Sequence, residues 1–167
     1  MMALKHILVA TDFGEAADNA LLYGRSIART FGATLHVVHV SHDVFGNAVG
    51  VGFDPATASD LQRDVDETAR HEVTELVLDS DHSGPPTIQV VLTSSRPALT
   101  IVQYAETHDI DLIVVGTHGR GSFAHLVMGS VAEEVVRLAP CPVLTVRHPE
   151  HEFVIPDTLV AASRLPA

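Results

Sequence analysis

The clearest chemical pattern in the sequence is a glycine-rich segment that directly follows a short apolar run. Residues 116–122 read Gly-Thr-His-Gly-Arg-Gly-Ser, and nine residues then separate Gly119 from Gly129 and Ser130. Glycine can turn with positive φ, and it lets backbone N–H groups approach an anion without a Cβ in the way. The pattern predicts a loop that binds phosphate groups.

The residues after Gly129 strengthen this prediction. Ser130 opens an amphipathic stretch that ends near Leu138 and has helical spacing. The free N–H groups and the partial positive charge of a helix N-terminus favour anions, and Ser130 could serve as N-cap or as phosphate ligand. From Gly116 to Val131 there is no acidic residue, although the whole chain carries a formal charge of −11.

The apolar pattern around this segment alternates between the periods of buried strands and of helices. Five strands are predicted at 7–10, 34–40, 87–93, 110–115 and 142–147, and four helices at 15–31, 58–78, 97–108 and 130–138. Three glycines and Pro55 predict a loop over 42–57. The alternation predicts an α/β fold, a doubly wound, five-stranded parallel sheet with right-handed crossovers.

The glycine spacing resembles that of the universal stress protein family. Its ATP-binding members carry Gly, two residues, Gly, nine residues, then Gly-Ser or Gly-Thr, and this chain matches all four positions with Gly116, Gly119, Gly129 and Ser130. The resemblance also covers Asp12, Val40 and residues 141–144. It extends over roughly 3–147, which divides the chain into a nucleotide-binding domain over 1–147 and a C-terminal tail over 148–167.

The resemblance implies a Rossmann-like sheet of order 3-2-1-4-5, whose switch point lies between the first and fourth strands. It also implies that Asp12 and the Val40 backbone contact the adenosine end of ATP, with Mg²⁺, while the glycine loop and Gly-Ser bind the phosphates. In one departure, Gly14 stands where a hydroxyl residue often follows Asp-Phe. The expected nucleotide-binding residues are Asp12, Val40, Gly116, Gly119, Arg120, Gly121, Ser122, Gly129, Ser130 and Val131.

Several of these residues also have a simpler interpretation. Gly116 and Gly119 could serve turn geometry alone, Asp12 could cap the helix that begins at Glu15, and Arg120 could be a solvated charge. Histidines three apart on a strand, such as His36 and His39, point to opposite faces, so the sequence does not favour a metal site.

Three functions stay open on these residues. The first is a regulator whose nucleotide occupancy alters partner binding, the second a slow ATPase or nucleotidyl transferase, and the third an interaction module without nucleotide. Lys5 is the only lysine and no Gly-Lys-Ser/Thr motif is present, which disfavours phosphoryl transfer. His118 is the one candidate acid or base beside the loop, and no catalytic residue is assigned.

Composition limits the partners and the compartment. The strong negative charge disfavours nucleic acid, and no apolar run reaches the roughly 18 residues of a membrane span. Cys141 is the only cysteine, so we expect a small buried side chain, a reducing compartment and the cytoplasm. The strand at 142–147 would form an edge of the sheet. We expect this edge to pair with a second copy of the chain in a homodimer, unless the C-terminal tail covers it.

Overall fold

The computed structural model describes residues 3–78, 84–117 and 129–147. Strands and helices alternate along these ranges, and none of the helices there is long and apolar enough to span a membrane. The elements are β1 (His6–Thr11), α1 (Glu15–Phe31), β2 (Thr34–Ser41), α2 (Val44–Gly50), α3 (Pro55–Leu78), β3 (Thr87–Thr93), α4 (Pro97–Thr107), β4 (Leu112–Gly116), α5 (Ser130–Leu138) and β5 (Val143–Val146).

The five strands form one parallel sheet in the order β3-β2-β1-β4-β5. Ala10 of β1 pairs with Val38 on one side and with Val115 on the other. The direction of winding reverses between β1 and β4, and in such sheets a crevice opens at the carboxyl ends of the strands at that point. The predicted doubly wound fold and its strand order are therefore confirmed.

Alternate residues of the central strands supply two apolar cores, one on each face of the sheet. Ile7 and Val9 pack with α1 and α3 on one face. Leu8 packs with α4 and α5 on the other. Coverage of both faces explains why these strands are continuous apolar runs in the sequence.

The region predicted as a loop over 42–57 is the main error in the sequence-based elements. It contains α2, whose N-terminus is capped by Asp43 through the Gly46 amide and by Gln62 of α3. The prediction missed this helix because part of its capping comes from a distant element. Helix α3 begins earlier than expected, at Pro55, and its first turns lie beside α2. Leu61 of α3 has the spacing of an inward-facing apolar residue, yet it is 40% exposed.

Candidate functional site

The carboxyl ends of β1 and β4 meet at the predicted crevice. Gly116 is the last residue of β4 and packs against the first turn of α1. A Cβ at position 116 would lie 2.7 Å from the carbonyl carbon of Ala16 and 2.8 Å from its oxygen. The backbone of Gly116 does not have positive φ. Glycine is therefore required here by close approach to α1, which corrects the interpretation based on turn geometry.

Asp12 lies in a tight turn between β1 and α1. Its Oδ1 accepts a hydrogen bond from the Gly14 amide at 3.1 Å, and Thr11 Oγ1 accepts one from the Phe13 amide at 3.0 Å. The N-cap of α1 is Gly14, without a side-chain cap. The alternative in which Asp12 caps this helix is therefore wrong, because the Asp12 carboxylate closes the turn that precedes it.

Val40 lies near the end of β2, beside the Asp12 turn. The last pair between β1 and β2 is Thr11 with His39, so Val40 is the next residue along, and it pairs with Leu92 of β3 on its other side. It is half-buried. The structure thus brings Val40 and Asp12 to the same edge of the sheet.

The chain beyond Val40 is held by two polar residues of α3. Asp66 Oδ1 accepts hydrogen bonds from Ser41 Oγ at 2.9 Å and Thr93 Oγ1 at 3.1 Å. Gln62 donates to Asp66 and accepts from the Val44 amide at 2.7 Å. These contacts tie the ends of β2 and β3 and the start of α2 to α3.

The N-terminus of α5 is tied directly to the end of β4. The Gly129 amide donates to the Thr117 carbonyl at 2.6 Å, and the Thr117 amide donates to the Val146 carbonyl at 2.8 Å. Gly129 is the N-cap, with φ −62° and ψ 145°, so the alternative of Ser130 as N-cap is wrong. Ser130 is instead the first helical residue, and it is exposed.

The first turn of α5 offers backbone donors. The first hydrogen bond within the helix runs from the Glu133 amide to the Gly129 carbonyl, so the amides of residues 130–132 have no acceptor inside the helix. Glu133 is an acidic side chain in this turn, and its carboxylate pairs with Arg137 at 3.3 Å on the exposed side of the helix. The N-terminus of α5 therefore has the features of an anion site.

Part of the expected site falls outside the described residues, namely Gly119, Arg120, Gly121 and Ser122, together with His118. The described part brings together Asp12, Val40, Gly116, Gly129, Ser130 and Val131 along the carboxyl edge of the sheet. Lys5 precedes β1 and therefore lies at the opposite edge, about 20 Å away for a six-residue strand.

The histidines of β2 point to opposite faces, as predicted from strand periodicity. His39 packs on Phe13, whereas His36 lies on the face of α4, where its Nδ1 is 2.9 Å from the Tyr104 hydroxyl. Its Nε2 is 3.1 Å from His6 Nδ1. Burial and the neighbouring His6 and His108 lower the pKa of His36 to about 4. Over 3–78, 84–117 and 129–147, no three His, Cys, Asp or Glu side chains are grouped to hold a metal.

Three residues of this edge were missed by sequence reasoning. Thr117 connects β4, β5 and α5 through its backbone, and its type gives no signal of that role. Phe13 adopts φ 61°, and His39 contacts it. The sequence feature that could have identified His39 is its position at the carboxyl end of a strand, because polar residues there face the ligand crevice in such sheets.

Comparison with known proteins places this geometry in a family. The sequence model of the universal stress protein family matches residues 3–147. A universal stress protein encoded in the QAH/OAS sulfhydrylase 3' region of Thermus aquaticus is 37% identical over 143 residues, covering 86% of this chain and 98% of the relative. The solved structure of the universal stress protein UspA from Lactobacillus plantarum is 28% identical, with TM-score 0.69, covering 88% of this chain and all of that one.

Two more distant structures share the fold and contain adenine nucleotides. One is a universal stress protein in complex with cAMP, with 20% identity and TM-score 0.58, covering 87% of this chain and 98% of that one. The other is the universal stress protein from Archaeoglobus fulgidus in complex with dAMP, with 23% identity and TM-score 0.55, covering 87% and 99%.

Proposed function

Because this chain belongs to the universal stress protein family, we propose that it binds ATP with Mg²⁺ in the crevice between β1 and β4 and acts as a nucleotide-dependent regulator. In this proposal residues 1–147 are the nucleotide-binding domain, and residues 148–167, which lie outside the described residues, are the C-terminal tail. Adenine nucleotides in two proteins of the same fold support the ligand class. The reducing compartment expected from the single cysteine is the cytoplasm.

One observation carries the proposal, namely the junction at the end of β4. Gly116 allows the strand to approach α1 closely, and Thr117 hydrogen-bonds the Gly129 amide that precedes α5. The donors of the α5 N-terminus are thereby fixed at the sheet edge, beside the Asp12 turn. A phosphate placed there would meet several N–H groups and the positive end of the helix.

Charge sets the direction in which the nucleotide lies. An ionised Asp12 carboxylate only accepts hydrogen bonds, so it suits ribose hydroxyls and repels phosphate. The N-terminus of α5 has the opposite preference. We therefore place the adenosine end at Asp12 and Val40 and the phosphates at Gly116, Gly129, Ser130 and Val131, with Gly119, Arg120, Gly121 and Ser122 completing the phosphate loop.

The residues present fit a magnesium nucleotide in which the metal is held mainly by the phosphates. Mg²⁺ retains several water molecules and takes few protein oxygens in nucleotide sites. The exposed Ser130 hydroxyl could supply one such oxygen. Bound Mg²⁺ would neutralise phosphate charge in a chain whose formal charge is −11.

Titration of the protein with nucleotide, followed by the melting temperature, tests the proposal. We expect ATP with Mg²⁺ at a hundredfold excess over the dissociation constant to stabilise the fold by about 2.7 kcal/mol. The melting-temperature shifts with ADP, AMP, cyclic AMP and adenosine show how much each phosphate contributes to binding. Inorganic triphosphate tests the phosphate end of the site alone. No shift with any adenine nucleotide at millimolar concentration would refute adenine nucleotide binding.

A further inference from the structure

The turn that carries Asp12 has an unfavourable backbone conformation. Phe13 has φ 61°, in the left-handed region that side chains other than glycine, asparagine and aspartate rarely adopt. Such a conformation persists only where the surrounding contacts enforce it. The Phe13 amide donates to Thr11 Oγ1 at the end of β1, and the Gly14 amide donates to Asp12 Oδ1 within the turn. Phe13 also packs against the apolar core on this face of the sheet.

His39 of β2 contacts this turn from the neighbouring strand. It is paired with Thr11 across the β1–β2 ladder, and its Nδ1 lies 2.8 Å from the Thr11 carbonyl oxygen. A carbonyl can only accept, so Nδ1 carries the proton and donates. The imidazole also packs on the Phe13 ring, with centroids 4.4 Å apart and planes at 33°. One side chain thus contacts the residue before Asp12 and the residue after it.

We infer that His39 is a positioning residue for nucleotide binding, which acts by holding the Asp12 carboxylate in the orientation that receives the adenosine end. The inference rests on the proposed function for its ligand. His39 itself is not expected to contact the nucleotide, because the partners of its side chain are Thr11 and Phe13. The hydrogen bond to Thr11 and the ring packing on Phe13 can be removed separately.

Two substitutions separate these contacts. His39→Phe keeps an aromatic ring against Phe13 and removes the donor to Thr11. His39→Asn places an amide nitrogen close to the position of Nδ1 and removes the ring. His71→Asn, at an exposed position of α3, serves as the matched control.

The first measurement needs no nucleotide. Hydrogen exchange of the Phe13 and Gly14 amides, which the turn protects, should become about fivefold faster in His39→Phe, as expected for loss of one hydrogen bond. It should stay within twofold of the parent in His39→Asn and in the control. Unchanged exchange in a folded His39→Phe would overturn the inference even if ATP binding were absent.

The second measurement is the ATP dissociation constant, together with that of inorganic triphosphate. We expect His39→Phe to weaken ATP binding about fivefold to tenfold and to leave triphosphate binding unchanged. His39→Asn, which keeps a donor to Thr11, should bind ATP nearly as well as the parent. In the Asp12→Ala background, His39→Phe should add less than twofold, because the carboxylate that it positions is gone. Full additivity of the two losses, or equal weakening of triphosphate, would contradict the inference. Failure of the parent to bind ATP would instead refute the proposed function.

Discussion

The backbone amide of Gly129 lies 2.6 Å from the carbonyl oxygen of Thr117, so two residues twelve positions apart in the chain are joined at the edge of the sheet. Thr117 is buried and is itself held by Val146 of β5. The N-terminus of α5 is therefore fixed to two strands before any ligand binds. Preorganised donors of this kind bind an anion without the entropic cost of ordering them first.

Gly129→Val should weaken ATP binding while leaving the fold intact. The φ and ψ of Gly129 are −62° and 145°, which valine adopts without strain, so the new side chain acts on the ligand and not on the backbone. We expect its methyl groups to obstruct the approach of a phosphate to the first turn of α5. The ATP dissociation constant, measured by calorimetry, should rise at least about tenfold.

Gly50→Val is the matched control for this change. Gly50 lies in α2, and a Cβ there meets nothing within 4 Å. We expect it to bind ATP as the parent does. A folded Gly129→Val variant with parental affinity would show that the phosphates lie elsewhere.

Gly116→Ala should destabilise the fold, in contrast to Gly129→Val. The added Cβ would lie 2.7 Å from the backbone of Ala16, so α1 or the end of β4 has to shift. We expect a loss of about 1–3 kcal/mol in the free energy of unfolding, measured by urea denaturation. Gly50→Ala should not destabilise the fold, since Gly50 is the last residue of α2, a Cβ there meets nothing within 4 Å, and alanine is favoured over glycine in helices. A Gly116→Ala variant as stable as the parent would refute the close packing.

The stability of the protein should decrease in acid through His36. Its pKa is about 4 in the folded protein, against about 6.5 in an unfolded chain, because it is buried and lies near His6 and His108. Between these two values the unfolded chain binds a proton at position 36 that the folded chain does not, so stability falls as the pH drops from about 6.5 to about 4. Allowing for screening, this contribution is about 1–3 kcal/mol.

A His36→Gln variant isolates this contribution. Chemical denaturation of both proteins from pH 4 to pH 7 gives the pH dependence of the unfolding free energy, to which other groups also contribute. We expect the variant to show a shallower decline than the parent over this window. Parallel curves would mean that His36 does not titrate differently in the two states.

The strands of the sheet could be predicted from the sequence because each strand has a recognisable local pattern of apolar residues. Continuous apolar runs mark the strands. Gly32, which ends α1 in the left-handed conformation, and Pro97, at the start of α4, are likewise local features of the sequence. The sequence-based prediction missed helix α2 because the N-terminus of this helix is capped partly by Gln62, eighteen residues from Val44. The two glycines of the expected site that the structure describes, Gly116 and Gly129, lie at the carboxyl edge of the sheet, but neither has the positive φ that the sequence argument invoked. The close approach of Gly116 to α1 and the contact of His39 with Phe13 exist only in the folded chain.

ATP turnover should be very slow. The single lysine lies at the amino end of β1, across the sheet from the crevice, so it cannot neutralise charge on a transferred phosphoryl group. We expect hydrolysis by purified protein, measured as released phosphate with Mg²⁺, to fall far below the enzyme median of about 10 per second. The Gly129→Val variant controls for contaminating ATPase. Turnover near the median, abolished by that variant, would identify the protein as an enzyme.

Strand β5 is the last strand of the sheet in the described part of the chain, and the residues that form its outer edge can be identified. The Pro142 and Val146 carbonyls accept from β4, through the Ile113 and Thr117 amides. Because backbone groups alternate in direction along a strand, residues 142, 144 and 146 face β4, and residues 143, 145 and 147 face outward. Proline at Val146 would therefore break the internal ladder, whereas proline at Val143 or Thr145 removes only an outward donor.

We expect a two-fold homodimer in which the outward groups of β5 pair with those of a second copy. Such pairing satisfies an exposed edge, and two-fold dimers are the commonest soluble assemblies. Light scattering at micromolar concentration should give a dimer for the parent and a folded monomer for Thr145→Pro and Val143→Pro. Val146→Pro should instead lower the melting temperature, which makes it the control for damage to the sheet. A monomeric parent, or a dimer that persists in folded Thr145→Pro and Val143→Pro, would rule out this interface.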